Sequence, residues 1–205
     1  MIICGLMGLS GQAPAMADEA EQAGASKPAA SWPLFAFCIE HDAKKRTMPE
    51  QSALLADLGY AGFGHLWPAD ADKRAKMLSE ADLRLYQVYV TVDLAQPNPY
   101  DEPMLAKVLP ALKPHGTQLA LLVKGGQPSD PSLDDKAVEV ITRIADTAKP
   151  FDVTVVLYPH TNDWLEKSGD AVRIAAKVNR PGEVGVMFNL CHCCLLYTSD
   201  AADDF

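Results

Sequence analysis

A set of polar and aromatic side chains follows the short apolar runs of this sequence, each at or just after the end of a run. The set consists of Glu40, His65, Trp67, Asp93, Lys124, Tyr158, His160, Asn189 and His192. Imidazole and carboxylate groups transfer protons near neutral pH, and a lysine can hold a carboxylate or a phosphate. If the fold gathers these side chains at one opening, they favour a site for a small molecule.

Each of these side chains also has a purely structural interpretation. A histidine at the end of a strand often bonds a backbone carbonyl, and Asp93 could cap a loop. Glu40 precedes a run of charged residues, 41–46, that reads as a solvated loop, and Lys124 could be exposed. Trp67 could line the wall of a pocket without touching a ligand. The fold has to decide between these interpretations.

Short apolar runs alternate with segments that carry apolar residues at helical spacing, which predicts alternating strands and helices. The predicted strands are Leu34–Ile39, Tyr60–Leu66, Leu85–Val92, Gln118–Val123, Val153–Leu157 and Val184–Phe188. The predicted helices are Met48–Leu58, Pro68–Leu83, Asp101–Lys113, Leu133–Lys149 and Asp163–Val178. Nearly continuous apolar strands between helices indicate a parallel sheet that is covered by helices.

Two α/β architectures fit this alternation, an open doubly wound sheet and a (β/α)8 barrel. A dinucleotide-binding sheet would carry a glycine-rich turn after its first strand, whereas this chain has Glu40-His41-Asp42-Ala43-Lys44 there. The barrel is therefore favoured, with the site at the C-terminal ends of its strands. Four of the five histidines lie at or after such ends, and only His115 precedes a strand.

Both ends of the chain differ in character from residues 33–193, where we place the barrel domain. Residues 1–17 end in Ala15-Met16-Ala17 and predict a signal peptide, and therefore a secreted or periplasmic protein. Residues 18–32 read as a flexible linker. The cysteines beside His192 suggest zinc ligands, but residues 194–205 resemble the translation of a sequencing adapter. We interpret them as a non-native tail and expect the natural chain to continue.

Bulk composition excludes two classes of partner. The formal net charge of −9 disfavours binding to nucleic acid, whose phosphates would be repelled. No apolar run reaches the length of about 18 residues that a membrane span requires. A small-molecule partner is indicated instead by the polar side chains that are expected to converge at the strand ends.

The segments Leu157-Tyr158-Pro159-His160 and Gly185 through His192 resemble the xylose-isomerase-like family of sugar phosphate isomerases and epimerases. The resemblance implies an incomplete (β/α)8 TIM barrel of about five βα units and a sixth strand. It also implies a divalent metal, Mn, Mg, Co or Zn, held partly by a Glu after strand five and an Asp after strand six. Tyr158 and Asn189 stand at those two positions here, while His160 and His192 match the family pattern.

The resemblance implies an isomerase or epimerase that acts on a sugar or sugar derivative. The residues expected to be catalytic are His160, His192, Lys124 and Glu40, with the two histidines as possible metal ligands. The residues expected to bind substrate are His65, Asp93, Tyr158, Asn189 and Trp67. Two alternatives stay open, a non-catalytic carbohydrate-binding barrel and a hydrolase or lyase on the same scaffold.

Overall fold

The computed structural model describes residues 33–37 and 44–202, with side chains up to residue 196. The predicted signal peptide, the whole linker, Cys38, Glu40 and His41 lie outside the described residues. Their interpretation therefore stays a prediction. No helix in the described part of the chain is long and apolar enough to cross a bilayer.

Six strands and six α-helices alternate along the described part of the chain, and the sequence pattern predicts all six strands and the first five helices. The strands are β1 (Phe35–Phe37), β2 (Gly62–Leu66), β3 (Arg84–Asp93), β4 (Gln118–Lys124), β5 (Thr154–Leu157) and β6 (Val184–Val186). The helices are α1 (Met48–Asp57), α2 (Ala71–Glu80), α3 (Glu102–Leu112), α4 (Asp134–Ala148), α5 (Ser168–Val178) and α6 (Leu190–Ala202). Helix α6 was not predicted, and it runs across the proposed boundary of the tail at Cys194.

Helix α5 begins five residues later than the sequence predicts, at Ser168 rather than Asp163. The reason is a cap, since the carboxylate of Asp170 accepts the backbone N–H of Lys167 at 3.1 Å. Residues 159–167 consequently form a loop after β5. This difference places Asp163 beside the strand ends instead of on the outer helix.

The six strands form one parallel sheet in the order β1-β2-β3-β4-β5-β6. A doubly wound sheet would reverse its strand order near the middle, and this sheet does not. Consecutive order with a helix after every strand is the arrangement of a TIM barrel. The predicted fold class is confirmed, and within the described residues the sheet is open, with β1 and β6 at its edges.

Two apolar layers pack on opposite faces of the sheet. The larger layer lies between strands and helices and includes Leu85, Val90 and Val92 of β3. The smaller layer covers the face that a barrel turns inward, with Tyr89, Ala120, Val156 and Tyr158 at its centre. A shift in register, in which Phe63 and Gly64 oppose Leu85 and Gln87, leaves Tyr86 as an extra residue. This bulge sets which β3 side chains face inward.

His115 lies in the turn before β4, at the opposite end of the strands from the other described histidines, as predicted. It is buried, and its Nδ1 accepts the Leu85 backbone N–H at 3.0 Å. Burial, with a smaller effect of the Arg84 charge, lowers the pKa of His115 below its ordinary value of 6.5. The neutral imidazole is therefore part of the folded structure.

Acid should consequently destabilise the protein through His115. The unfolded chain binds a proton near pH 6.5 while the folded chain resists it, so stability is full above that pH. We expect the free energy of unfolding to fall as the pH drops from 6.5 through the folded pKa. The measurement is urea denaturation between pH 5 and 8. The His115→Gln variant should show a shallower decline, and an unchanged slope would refute this assignment.

Candidate functional site

The ends of β5 and β6 bring Tyr158 and Asn189 into direct contact. The two strands pair in parallel with Leu157 opposite Val186, so the residues that follow them meet at one edge of the sheet. The Asn189 side-chain amide donates to the Tyr158 hydroxyl at 2.5 Å. Tyr158 is buried against the edge of the Tyr89 ring, with the ring centroids 5.5 Å apart. The contact fixes a neutral phenol–amide pair at the centre of the strand ends.

His160 and His192 face each other beside this pair, with their ring centroids 3.9 Å apart. His160 lies in the loop after β5, and His192 lies in the first turn of α6. Each ring centroid is 6.2 Å from that of Tyr158. The structure therefore brings together the four strand-end residues that the sequence predicted after β5 and β6.

Thr161 assigns different tautomers to the two imidazoles. His160 Nδ1 lies 3.0 Å from the Thr161 carbonyl oxygen and must carry a hydrogen to bond it. His192 Nδ1 lies 3.3 Å from the Thr161 backbone nitrogen and 3.0 Å from Thr161 Oγ1, so it acts as an acceptor. His160 thus keeps a lone pair on Nε2, whereas the Nε2 of neutral His192 carries a hydrogen. One ring can accept a proton while the other donates a hydrogen bond.

Asp163 belongs to this cluster, although the sequence reasoning did not select it. Its Oδ2 lies 3.7 Å from His160 Nδ1, and its side chain is 19% exposed. Burial raises the pKa of Asp163, an effect that the nearby His160 and Lys124 partly offset. Its position three residues after His160 is the sequence feature that could have identified it as part of the site. The carboxylate is placed to stabilise a positive charge on the His160 ring.

Burial also affects His192. Partial burial lowers the pKa of His192 below 6.5, and the neighbouring His160 has a smaller effect in the same direction. His192 is therefore neutral at pH 7, in agreement with the acceptor role of its Nδ1. The cluster combines the neutral His192, the partly buried acid Asp163 and His160, which contacts both.

Polar side chains extend the site along the inner face of the sheet. The Tyr89 hydroxyl donates to Gln87 Oε1 at 2.5 Å. Gln87 Nε2 in turn donates to Gln118 Oε1 at 3.2 Å and lies 3.5 Å from the Met187 sulfur. These bonds hold the Tyr89 ring against Tyr158, whose own ring lies next to both histidines.

Asp93 and Lys124 lie at the same edge of the sheet, opposite each other in the β3–β4 register. Asp93 Oδ1 accepts the Ala95 backbone N–H at 3.1 Å, so the carboxylate shapes its own loop. A Cβ at Gly125 would lie 2.3 Å from that same oxygen, and the backbone there has a positive φ of 96°, so only glycine fits. Lys124 is exposed and reaches the cluster only through its charge near Asp163.

His65 and Trp67 lie apart from the histidine pair. His65 Nε2 lies 2.9 Å from the Ala69 carbonyl oxygen, and its ring is next to Phe63, in the layer between strands and helices. Trp67 borders the same region and is 42% exposed. The expectation that His65 faces the shared mouth is not met, because its neighbours Gly64 and Leu66 occupy the inner face. A substrate role for either residue stays a prediction.

The residues at the metal positions of the resembled family do not fit a divalent cation. Tyr158 and Asn189 are neutral and are bonded to each other, whereas hard divalent cations prefer sites that include anionic oxygen ligands. Among the described residues, no three His, Cys, Asp or Glu side chains are close enough together to hold a metal ion. Cys191, Cys193 and Cys194 form no disulfide with one another and belong to no such group.

No protein-family model and no curated protein sequence matches this chain. Its fold is similar to AP endonuclease family 2 from Brucella melitensis, with a TM-score of 0.63, 21% identity, and coverage of 78% of this chain and 70% of that one. A sugar phosphate isomerase/epimerase from Parabacteroides distasonis matches with a TM-score of 0.56, 14% identity and coverage of 81% and 68%.

A xylose isomerase-like TIM barrel protein from Mycobacterium smegmatis, in complex with magnesium, matches with a TM-score of 0.55 and 19% identity over 78% of this chain and 65% of that one. These likenesses, with the strand order, define the class of the chain as a TIM-barrel protein. Within that class its fold is similar to those of xylose-isomerase-like barrels. Because one scaffold can host different activities, the fold alone does not define the activity of this chain.

Proposed function

We propose that this chain binds a sugar or sugar derivative at the ends of β5 and β6 and catalyses its isomerisation or epimerisation. The observation that carries the proposal is the pair of facing imidazoles, His160 and His192, in opposite tautomers. Such a pair supplies a base and a hydrogen-bond donor side by side, which is what proton abstraction next to a carbonyl requires.

The Nε2 lone pair of His160 accepts a proton from the carbon next to the substrate carbonyl, while the His192 Nε2–H donates to the carbonyl oxygen. The electron pair of the broken C–H bond forms an enediolate. In an aldose–ketose isomerisation, His192 Nε2 gives its proton to the former carbonyl oxygen and takes the proton of the neighbouring hydroxyl, and His160 returns its proton to the former carbonyl carbon. In an epimerisation, water protonates the original carbon from the opposite face and the His160 imidazolium releases its proton to the resulting hydroxide. Asp163 stabilises the imidazolium in between.

The other residues bind and orient in this proposal. Lys124 attracts an anionic group of the substrate, and the Tyr158–Asn189 pair accepts and donates hydrogen bonds to substrate hydroxyls. Glu40 as an orienting carboxylate remains a prediction of the sequence. A divalent metal has no part in any step, because the donors at 158 and 189 do not suit one.

Solvent isotope exchange tests the proposal directly. The protein is incubated in D2O with a panel of ketoses and aldoses, with and without phosphate groups. We expect one deuterium to enter at the carbon next to the carbonyl, faster than in buffer, as read by ¹H NMR. Absence of exchange for every sugar that binds would refute catalysis.

A non-catalytic sugar-binding barrel is the second candidate, favoured by the neutral Tyr158–Asn189 pair. It predicts saturable sugar binding in titration calorimetry with no deuterium incorporation. Absence of both binding and exchange would exclude both candidates for the sugars tested.

A further inference from the structure

We propose a second binding site, for a small anion such as phosphate or a carboxylate, between β2 and helices α1 and α2 and centred on Arg74. The site is separate from the histidine cluster and does not depend on the function proposed above. It rests on a buried guanidinium with unused donors, an adjoining cavity and a locally strained loop.

Arg74 is buried, with 5% of its surface exposed. Its Nη2 donates to Gln51 Oε1 at 2.7 Å, and its guanidinium lies 4.8 Å from the centroid of the Phe63 ring. Its Nε and Nη1 are buried and have no hydrogen-bond partner among the described residues. Burial lowers the pKa of Arg74.

A buried guanidinium without a counter-ion is unfavourable, because desolvation is not repaid by a charge partner. The Phe63 ring offsets only part of that cost. Asp70 is the nearby acid in the described part of the chain, but its carboxylate is half exposed and bonds Lys73 at 2.6 Å. We therefore expect an anion from outside the described residues to neutralise the charge of Arg74.

A cavity of about 260 Å³ lies beside Arg74. A larger cavity, of about 440 Å³, lies elsewhere, at the start of α5. The smaller cavity is lined by Gln51, Phe63, His65, Trp67, Asp70 and Arg74. Its volume suits a phosphate or a small carboxylate better than a whole sugar phosphate. A guanidinium is the side chain that binds both oxyanions with the best geometry.

The loop that borders this cavity is strained at two places. Trp67 and Asp70 have φ angles of 63° and 61°, in the left-handed region that residues other than glycine seldom occupy. Such strain persists where surrounding structure holds it, and it is concentrated at ligand sites. The loop thus supports the reading of the cavity as a binding site.

Thermal unfolding with sodium phosphate, sodium acetate or sodium chloride at equal ionic strength tests the site. The wild type should show a saturable rise in Tm, roughly 5–10 °C at a hundred times the Kd. Phosphate and acetate as separate probes identify which oxyanion is preferred. The Arg74→Met variant should lose the rise, while Arg143→Met, a matched change at an exposed arginine over Tyr100, should keep it.

Titration calorimetry of the wild type with phosphate keeps the test decisive if Arg74→Met fails to fold. Absence of saturable binding of either probe would overturn the proposal. So would an equal Tm rise in Arg74→Met. Loss of stability in Glu40→Gln or Asp42→Asn, together with no anion effect in the wild type, would show that a carboxylate of this chain neutralises Arg74. None of these readouts involves sugar turnover, so this proposal fails or stands separately from the isomerase proposal.

Discussion

Replacing His160 by glutamine is expected to lower the rate of deuterium incorporation into a sugar substrate by about 10²–10⁴-fold, the usual contribution of a general base. Glutamine retains a side-chain donor that can bond the Thr161 carbonyl, so the loop geometry should survive. It has no lone pair of comparable basicity to accept the substrate proton. The measurement is the initial rate of exchange at saturating sugar, with sugar affinity measured separately by calorimetry.

His115→Gln is the matched control, because it removes a histidine that lies before β4, far from the cluster in the fold. It should leave the exchange rate unchanged at pH 7. His192→Gln should reduce the rate as well, since it removes the donor to the carbonyl oxygen. A wild-type rate in His160→Gln would assign the base to another residue. Asp163→Asn should give a smaller loss than His160→Gln, because Asp163 acts through the His160 ring.

The strands could be predicted from the sequence because a parallel sheet covered on both faces requires nearly continuous apolar runs. β3 and β4 show this most clearly, and their observed limits differ by at most one residue at each end from the predicted ones. The order of the strands is a long-range property that periodicity does not encode. The choice of a barrel came from the missing glycine-rich turn after β1 and from the family resemblance.

The site was predictable where neighbouring strands end together. Tyr158, His160, Asn189 and His192 follow β5 and β6, which are adjacent in the sheet, so the strand-end rule was sufficient. It failed for His65, because side chains alternate between the two faces of a strand. Which face His65 takes depends on local register, including the bulge opposite Gly64.

Asp163 was missed for a different reason. Its position before an apolar helical pattern made it look like the first residue of a helix. The actual start is decided by the Asp170 carboxylate, which caps Ser168 onward and also bonds Ser129 and Arg173. A contact to the loop before α4, at Ser129, and a link through Arg173 to Asp134 of α4 thus help to set the start of α5 and leave Asp163 beside the histidines. A single sequence does not reveal such a competition between caps.

Exchanging Tyr158 for Glu and Asn189 for Asp together is expected to create a divalent-metal site in a chain whose described residues lack one. The double variant places two carboxylates beside His160 and His192, an oxygen and nitrogen ligand set that Mn²⁺ accepts. Titration calorimetry with MnCl₂ should show binding at least about 10²-fold tighter than in the wild type, because affinity rises with ligand charge. Without metal, two carboxylates in contact should lower Tm through repulsion, and MnCl₂ should restore it.

The single variants Tyr158→Glu and Asn189→Asp should bind Mn²⁺ more weakly than the double variant, since each supplies one charge. Tyr158→Phe is the matched control, because it removes the 2.5 Å bond from Asn189 without adding charge, and it should bind no more metal than the wild type. If the wild type already binds Mn²⁺ as tightly as the double variant, the neutral phenol–amide pair does not exclude the cation. If the double variant folds and gains no affinity, the strand ends of β5 and β6 do not have the geometry of a metal site, whatever residues they carry.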